Sequence, residues 1–198
     1  MKLTFKKGYD GDVGKPPVRT VEGAVAFREP ETIEKLSVIA NTLALIITIP
    51  LLVAVFFIHG GVRAFSGNFD RFLLHLVIAS VAMLISMPVH EILHAICFRE
   101  NVEFYTYLRK GLMFVIGTES MTKRRFIFMS LLPNVVFGLI PFVLFIFFPS
   151  ALWLGLFGAT SLGAGAGDYI NVFHAATQMP RGALCYMSSN RSYWYMPK

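Results

Sequence analysis

The chain has 198 residues, of which 55% are hydrophobic and only 15% charged, with a net charge of +6 and a mean hydropathy of +0.60. An average soluble domain carries about 25% charged residues, so a single aqueous core cannot hide this much apolar surface. The basic residues flank hydrophobic runs, which favours orientation in a membrane over nucleic-acid binding.

Residues 1–35 read as a basic cytoplasmic N-terminal arm. Gly8, Gly11, Gly14, Pro16 and Pro17 punctuate its start and predict little regular structure there. No early apolar core of a cleavable signal peptide is visible. Pro30, Glu31, Thr32 and Glu34 predict a helix start near Pro30.

The next part, 36–176, reads as one transmembrane domain of about four helices in an all-α fold. Leu36 to Ile58 is charge-free and long enough to span roughly 30 Å of hydrocarbon. Phe72 to Val89 is the second apolar run and continues to Phe98. Phe126 to Phe148 is the third, and Ala151 to about Ala176 the fourth. Between the second and third, Val102 to Leu108 and Leu112 to Gly117 are rich in aromatic and β-branched residues. Arg109, Lys110 and Gly111 between them predict a small cytoplasmic β-hairpin-like loop. That hairpin either adds a substrate strand to its edge or lies on the membrane surface. Residues 177–198 read as a cytoplasmic tail.

Lys plus Arg counts set the orientation. Segments 1–35, 99–125 and 173–198 hold 7, 6 and 3, and the remaining connectors hold only Arg63 and Arg71. The expectation is a multi-pass cell-membrane protein with both termini cytoplasmic. Cys97 and Cys185 are isolated and read as free thiols.

One motif carries chemistry. In His90-Glu91-Ile92-Leu93-His94, the two histidines are four apart and share a helix face, so they can grip one metal ion. Zinc lowers the pKa of water towards 7, and Glu91 beside the first ligand can take the proton. Ionisable groups inside an apolar helix are expensive, which favours a functional role. The bland reading is an interfacial helix end.

A catalytic zinc needs a third protein ligand. Asp168 is the only charged residue of the fourth run. On straight helices His90 lies about 27 Å from Phe72, and Asp168 about 26 Å from Ala151, so both reach similar depth. Gly163, Gly165 and Gly167 favour close helix approach there. Glu119 is a rival ligand, with Glu100 and Glu103 too near the motif along the chain. Asn134 is either a substrate contact or a helix-to-helix hydrogen bond. Asn171 and His174 are candidates to support a ligand, and Cys97 is a metal donor or a packed thiol. His59 and His75 receive no role.

With these residues in place, the chain resembles the membrane zincin metallopeptidases of bacteria, which are distantly similar to site-2 proteases. The resemblance covers roughly 72–176. It implies Zn2+ held by His90, His94 and Asp168, with Glu91 activating water. The setting Gly167-Asp168-Tyr169-Ile170-Asn171 departs from the Asn-Pro…Asp-Gly context usual in the site-2 class. The expected function is a zinc-dependent membrane endopeptidase acting on peptide or membrane-protein substrates at the cytoplasmic side. The alternative is a non-catalytic metal-binding scaffold or regulatory protein. A transporter fits poorly, because no paired halves are visible. Four short helices give a hydrated site limited cover, so a homodimer is expected.

Overall fold

A computed structural model describes residues 2–7, 17–30, 32–65, 69–107, 112–189 and 191–198. The glycine-punctuated stretch 8–16 and the hairpin turn Arg109-Lys110-Gly111 lie outside the described residues. The chain divides into two compact units, one of residues 32–87 and 133–168, the other of residues 1–31, 88–132 and 169–198.

The first unit is helical. Helix α1, Ile33–His59, begins where the Thr32 side chain accepts the Lys35 N–H at 3.2 Å. It ends at Gly60, whose φ of 115° closes the last turn. Pro50 sits inside it. A short α2, Val62–Phe65, precedes α3, Phe69–Ala95. Residues of α3 up to Met87 belong to this unit, and from Pro88 onward to the other. Then come a π-helical turn, Asn134–Leu139, α5, Ile140–Phe147, and α6, Leu152–Ala164. The core around Val55, Phe145, Leu152 and Ala159 is small. Outside it, Ile46, Ile49, Val53 and Phe57 on α1 and Leu74, Val77, Leu84 and Ile85 on α3 are exposed. Large apolar residues left uncovered along whole helices are a lipid-facing pattern, since water would not tolerate such a patch.

Close approach inside this unit depends on Gly158. A Cβ there would lie 2.6 Å from the Phe142 nitrogen and 2.9 Å from the Gly138 carbonyl oxygen. Both are backbone atoms, so no side-chain rotation would relieve the contact.

The second unit carries two sheets. Strand β1, Leu3–Lys7, pairs in parallel with β3, Val102–Tyr107, from Leu3 opposite Val102 to Lys7 opposite Thr106. Strand β4, Leu112–Ile116, pairs antiparallel on the other side of β3. The four-stranded sheet has the order β2-β7-β6-β5. Its strands are β2, Val25–Ala26, β5, Met121–Thr122, β6, Leu184–Ser188, and β7, Arg191–Tyr195. Helix α4, Lys123–Pro133, follows β5 directly, and α7, Ala166–Gln178, precedes β6. Ala95, Phe98, Val102, Met121, Phe126, Met129 and Ala175 share one buried core with Phe27 and Cys185. Cys97 and Cys185 are free thiols, and burial pushes Cys185 up to about 12.

Two expectations need correction. The fold is mixed α/β, not all-α, because among the described residues seven strands form two sheets. The arm and the tail supply four of them, and β2 pairs with β7, far along the chain. Among the described residues, three helical stretches rather than four are long and apolar enough to cross a membrane: Glu34–His59, Phe69–Ala95 and Lys123–Phe147. The expected fourth span is broken at Gly165 into α6 and α7. At about 1.5 Å per residue, the 13 residues of α6 fall short of a bilayer. The straight-helix depth argument for Asp168 therefore does not apply. With three such helices the chain is a membrane protein.

Candidate metal centre

His90, Glu91 and His94 sit in the last two turns of α3. Each offers a ligand atom, and those atoms lie within 4.8 Å of one another. The two imidazoles stand edge to face, their centroids 4.8 Å apart. Helical spacing alone brings them together; a neighbouring element fixes how one of them is turned. Nδ1 of His94 lies 2.9 Å from the carbonyl oxygen of Met129 on α4. A carbonyl only accepts, so Nδ1 carries the proton and Nε2 keeps the lone pair a metal needs. Metal-ligating histidines are typically held in this way. The donor set of two imidazoles and a carboxylate suits zinc, so the residues present fit the ion.

Helix α3 ends immediately after the motif. Cys97 N–H donates to His94 O at 3.1 Å and Phe98 N–H to Ala95 O at 3.0 Å, tightening the final turn. Cys97 Sγ donates to Leu93 O at 3.4 Å, and burial raises its thiol pKa, with Arg125 partly opposing. The Sγ–H bond to Leu93 O is the arrangement of a packed thiol.

Glu119 has a different task from the rival-ligand role. It is 6% exposed, and its carboxylate accepts the Arg99 and Glu100 N–H groups at 2.6 and 2.9 Å. Its other oxygen pairs with Arg125. Burial alone would raise its pKa, but the Arg125 bond and the two backbone donors bring it below the ordinary value. Glu103 is engaged by Tyr105 and Lys6.

Asp168 lies in the first turn of α7, in the helical unit. Its Oδ2 accepts from Asn134 Nδ2 at 2.8 Å. Asn134 is buried and opens the π-helical turn, a feature frequent at functional sites. Its side chain fills the place a Cβ on Gly165 would need. Of the two readings for Asn134, a bond to a neighbouring helix is the one observed. Asn171 is half-buried one turn beyond Asp168. His174 is 9% exposed and faces Phe27, with ring centroids 6.4 Å apart. The expected hairpin of β3 and β4 is present, but β1 already covers one edge of β3.

Sequence reasoning missed the Met129 carbonyl, Arg125 and the π-helical turn. A main-chain acceptor leaves no side-chain signal. The turn had one: Pro133, Gly138 and Pro141 crowd a single apolar helix.

Residues 83–184 match the sequence model of a family described as "Putative zincin peptidase". No curated protein and no solved structure matches the chain.

Proposed function

The chain belongs to that zincin peptidase family, whose cofactor is Zn2+, and on this premise we propose that it is a membrane-embedded endopeptidase. It cleaves peptide bonds of membrane or juxtamembrane substrates at the cytoplasmic side. The observation that carries the reading is the oriented pair of imidazoles beside a carboxylate, with His94 Nδ1 held by Met129.

His90 and His94 hold the metal, and Asp168 supplies the third ligand from the first turn of α7. Support for Asp168 comes from its bond to Asn134, which orients one carboxylate oxygen. Bound zinc supplies an electrophile that acidifies water towards neutral pKa and polarises a carbonyl. Glu91 takes the proton of the attacking water and delivers it to the leaving amine. Asn134 holds Asp168, and Asn171, one turn further along α7, is the candidate to support the same ligand.

The orientation rests on charge. The sheet-bearing unit contains the segments 1–31, 88–132 and 169–198, where most Lys and Arg of the chain lie. By the positive-inside rule we place these segments, with both termini, in the cytoplasm, which requires α6 and α7, broken at Gly165, to bring the chain back after the third span. The chain's distant likeness to site-2 proteases is part of the same reading.

Metal analysis of the full chain in detergent, beside Asp168→Ala and Glu91→Gln, tests it. About one zinc per chain is expected from a one-metal site, weakened in Asp168→Ala and retained in an inactive Glu91→Gln. A metal-replete protein whose cellular role survives Glu91→Gln would instead be a scaffold.

A further inference from the structure

Helix α4 holds the end of the motif helix at two places one helical turn apart. Arg125 and Met129 are four residues apart and share a face. Arg125 donates from Nε and Nη2 to the Cys97 carbonyl, at 3.0 and 2.5 Å. Met129 accepts from His94 Nδ1 at 2.9 Å. Cys97 N–H in turn donates to His94 O at 3.1 Å. The contacts close a ring: Arg125 to Cys97, Cys97 to His94, His94 to Met129, and back along α4. The remaining guanidinium donor, Nη1, is held by Glu119, whose other oxygen binds the Arg99 and Glu100 N–H groups just past the helix end.

We infer that Arg125 is a positioning residue for His94, an inference that rests on the zincin reading above. Its planar fork fixes the carbonyl end of α3 against α4. That sets the height of His94 against the Met129 carbonyl and therefore the direction of Nε2. A cation at a helix C-terminus is favourable in itself, but charge alone does not explain the arrangement. Lysine has one ammonium on a flexible stem and cannot hold Cys97 O and Glu119 in one plane. Glu119 keeps the fork from rotating. Neither residue touches the ion; both act through the imidazole.

The test is zinc affinity, measured on the full chain in detergent by competition with a chelator, together with thermal unfolding of the metal-free protein. The variants are Arg125→Lys and Arg125→Gln. Loss of a group that orients a ligand weakens metal binding about 10–100-fold. The Gln variant should show that loss, and the Lys variant a smaller loss in protein that remains folded without metal. Should Arg125→Gln fail to fold, the Lys variant decides. Wild-type affinity in folded variants, even with a lowered unfolding temperature, would make Arg125 structural only and overturn the inference alone. Absence of zinc from the wild-type protein overturns the zincin reading and this inference with it.

Discussion

The helical unit and the sheet-bearing unit hold themselves together by different chemistry. In the helical unit most contacts are apolar or rest on missing side chains, Gly158 against Phe142 and Gly138, Val55 against Phe145 and Leu152, with the Asn134–Asp168 bond a polar exception. Its helices leave Ile46, Phe57, Leu84 and Ile85 exposed. In the sheet-bearing unit, ionic and hydrogen-bonded knots tie the loops. Arg125 and Glu119 close the end of α3, Lys123 donates to Ala176 O and Met179 O at 2.8 and 3.1 Å, and Arg19 donates to Thr118 O at 2.6 Å while lying over the Tyr186 ring. Lipid offers no hydrophobic drive between helices, so close fit does the work there. The motif residues fall on the side of the chain that can pay for charge with hydrogen bonds.

The largest expected effect lies in the sheet-bearing unit. Glu91→Gln should lower turnover of a membrane peptide about 10²–10⁴-fold while zinc per chain stays constant. Parallel loss of zinc and activity would mean that Glu91 holds the site together rather than moving a proton. Next, stripping zinc with a chelator should lower thermal stability. At a free concentration of 100 Kd, bound metal contributes about 2.7 kcal/mol, and an unfolding temperature insensitive to metal would contradict a ligand-filled site. Gly158→Ala probes the other unit. Overpacking against fixed backbone costs about 1–3 kcal/mol, read from thermal unfolding of the metal-free protein in detergent. An unfolding temperature equal to that of the wild type would contradict the close approach at Gly158.

The smallest effects concern two carboxyls of the sheet-bearing unit with opposite signs. Glu119 has a lowered folded pKa, so its contribution is present above the unfolded value of 4.5 and is lost as pH falls through the folded value. Glu29 is raised, first by burial, with Ser192 and His174 opposing. Its contribution is present below 4.5 and is lost as pH rises through the folded value. Unfolding followed from pH 3 to 7 should show Glu119→Gln flattening the acid side and Glu29→Gln raising stability at neutral pH relative to acid. Parallel shifts in the two variants would contradict the assigned environments.

What could be read beforehand followed the range of the interaction. The His90/His94 pair was legible because four residues on a helix determine their proximity. The long apolar helices were legible from composition alone, and the β3–β4 hairpin from residues adjacent in sequence. The sheets were not, since Leu3 finds Val102 and Val25 finds Trp194 across the length of the chain. Five-residue and two-residue strands bear no pattern strong enough to announce such partners. The run from Ala151 looked like one span because its glycines are apolar, and hydropathy does not register the break at Gly165. Glu119 looked like a free acid in a polar loop, whereas its three donors come from Arg99, Glu100 and Arg125.

The pairing of β2 with β7 has a consequence for synthesis. Val25 is made early and Trp194 more than 160 residues later, by which time the motif helix has long left the ribosome. The four-stranded sheet that receives α4 through β5 cannot close until then. A growing chain can therefore insert its apolar helices, and tie His94 to Met129 and Cys97 to Arg125, while the four-stranded sheet is still open.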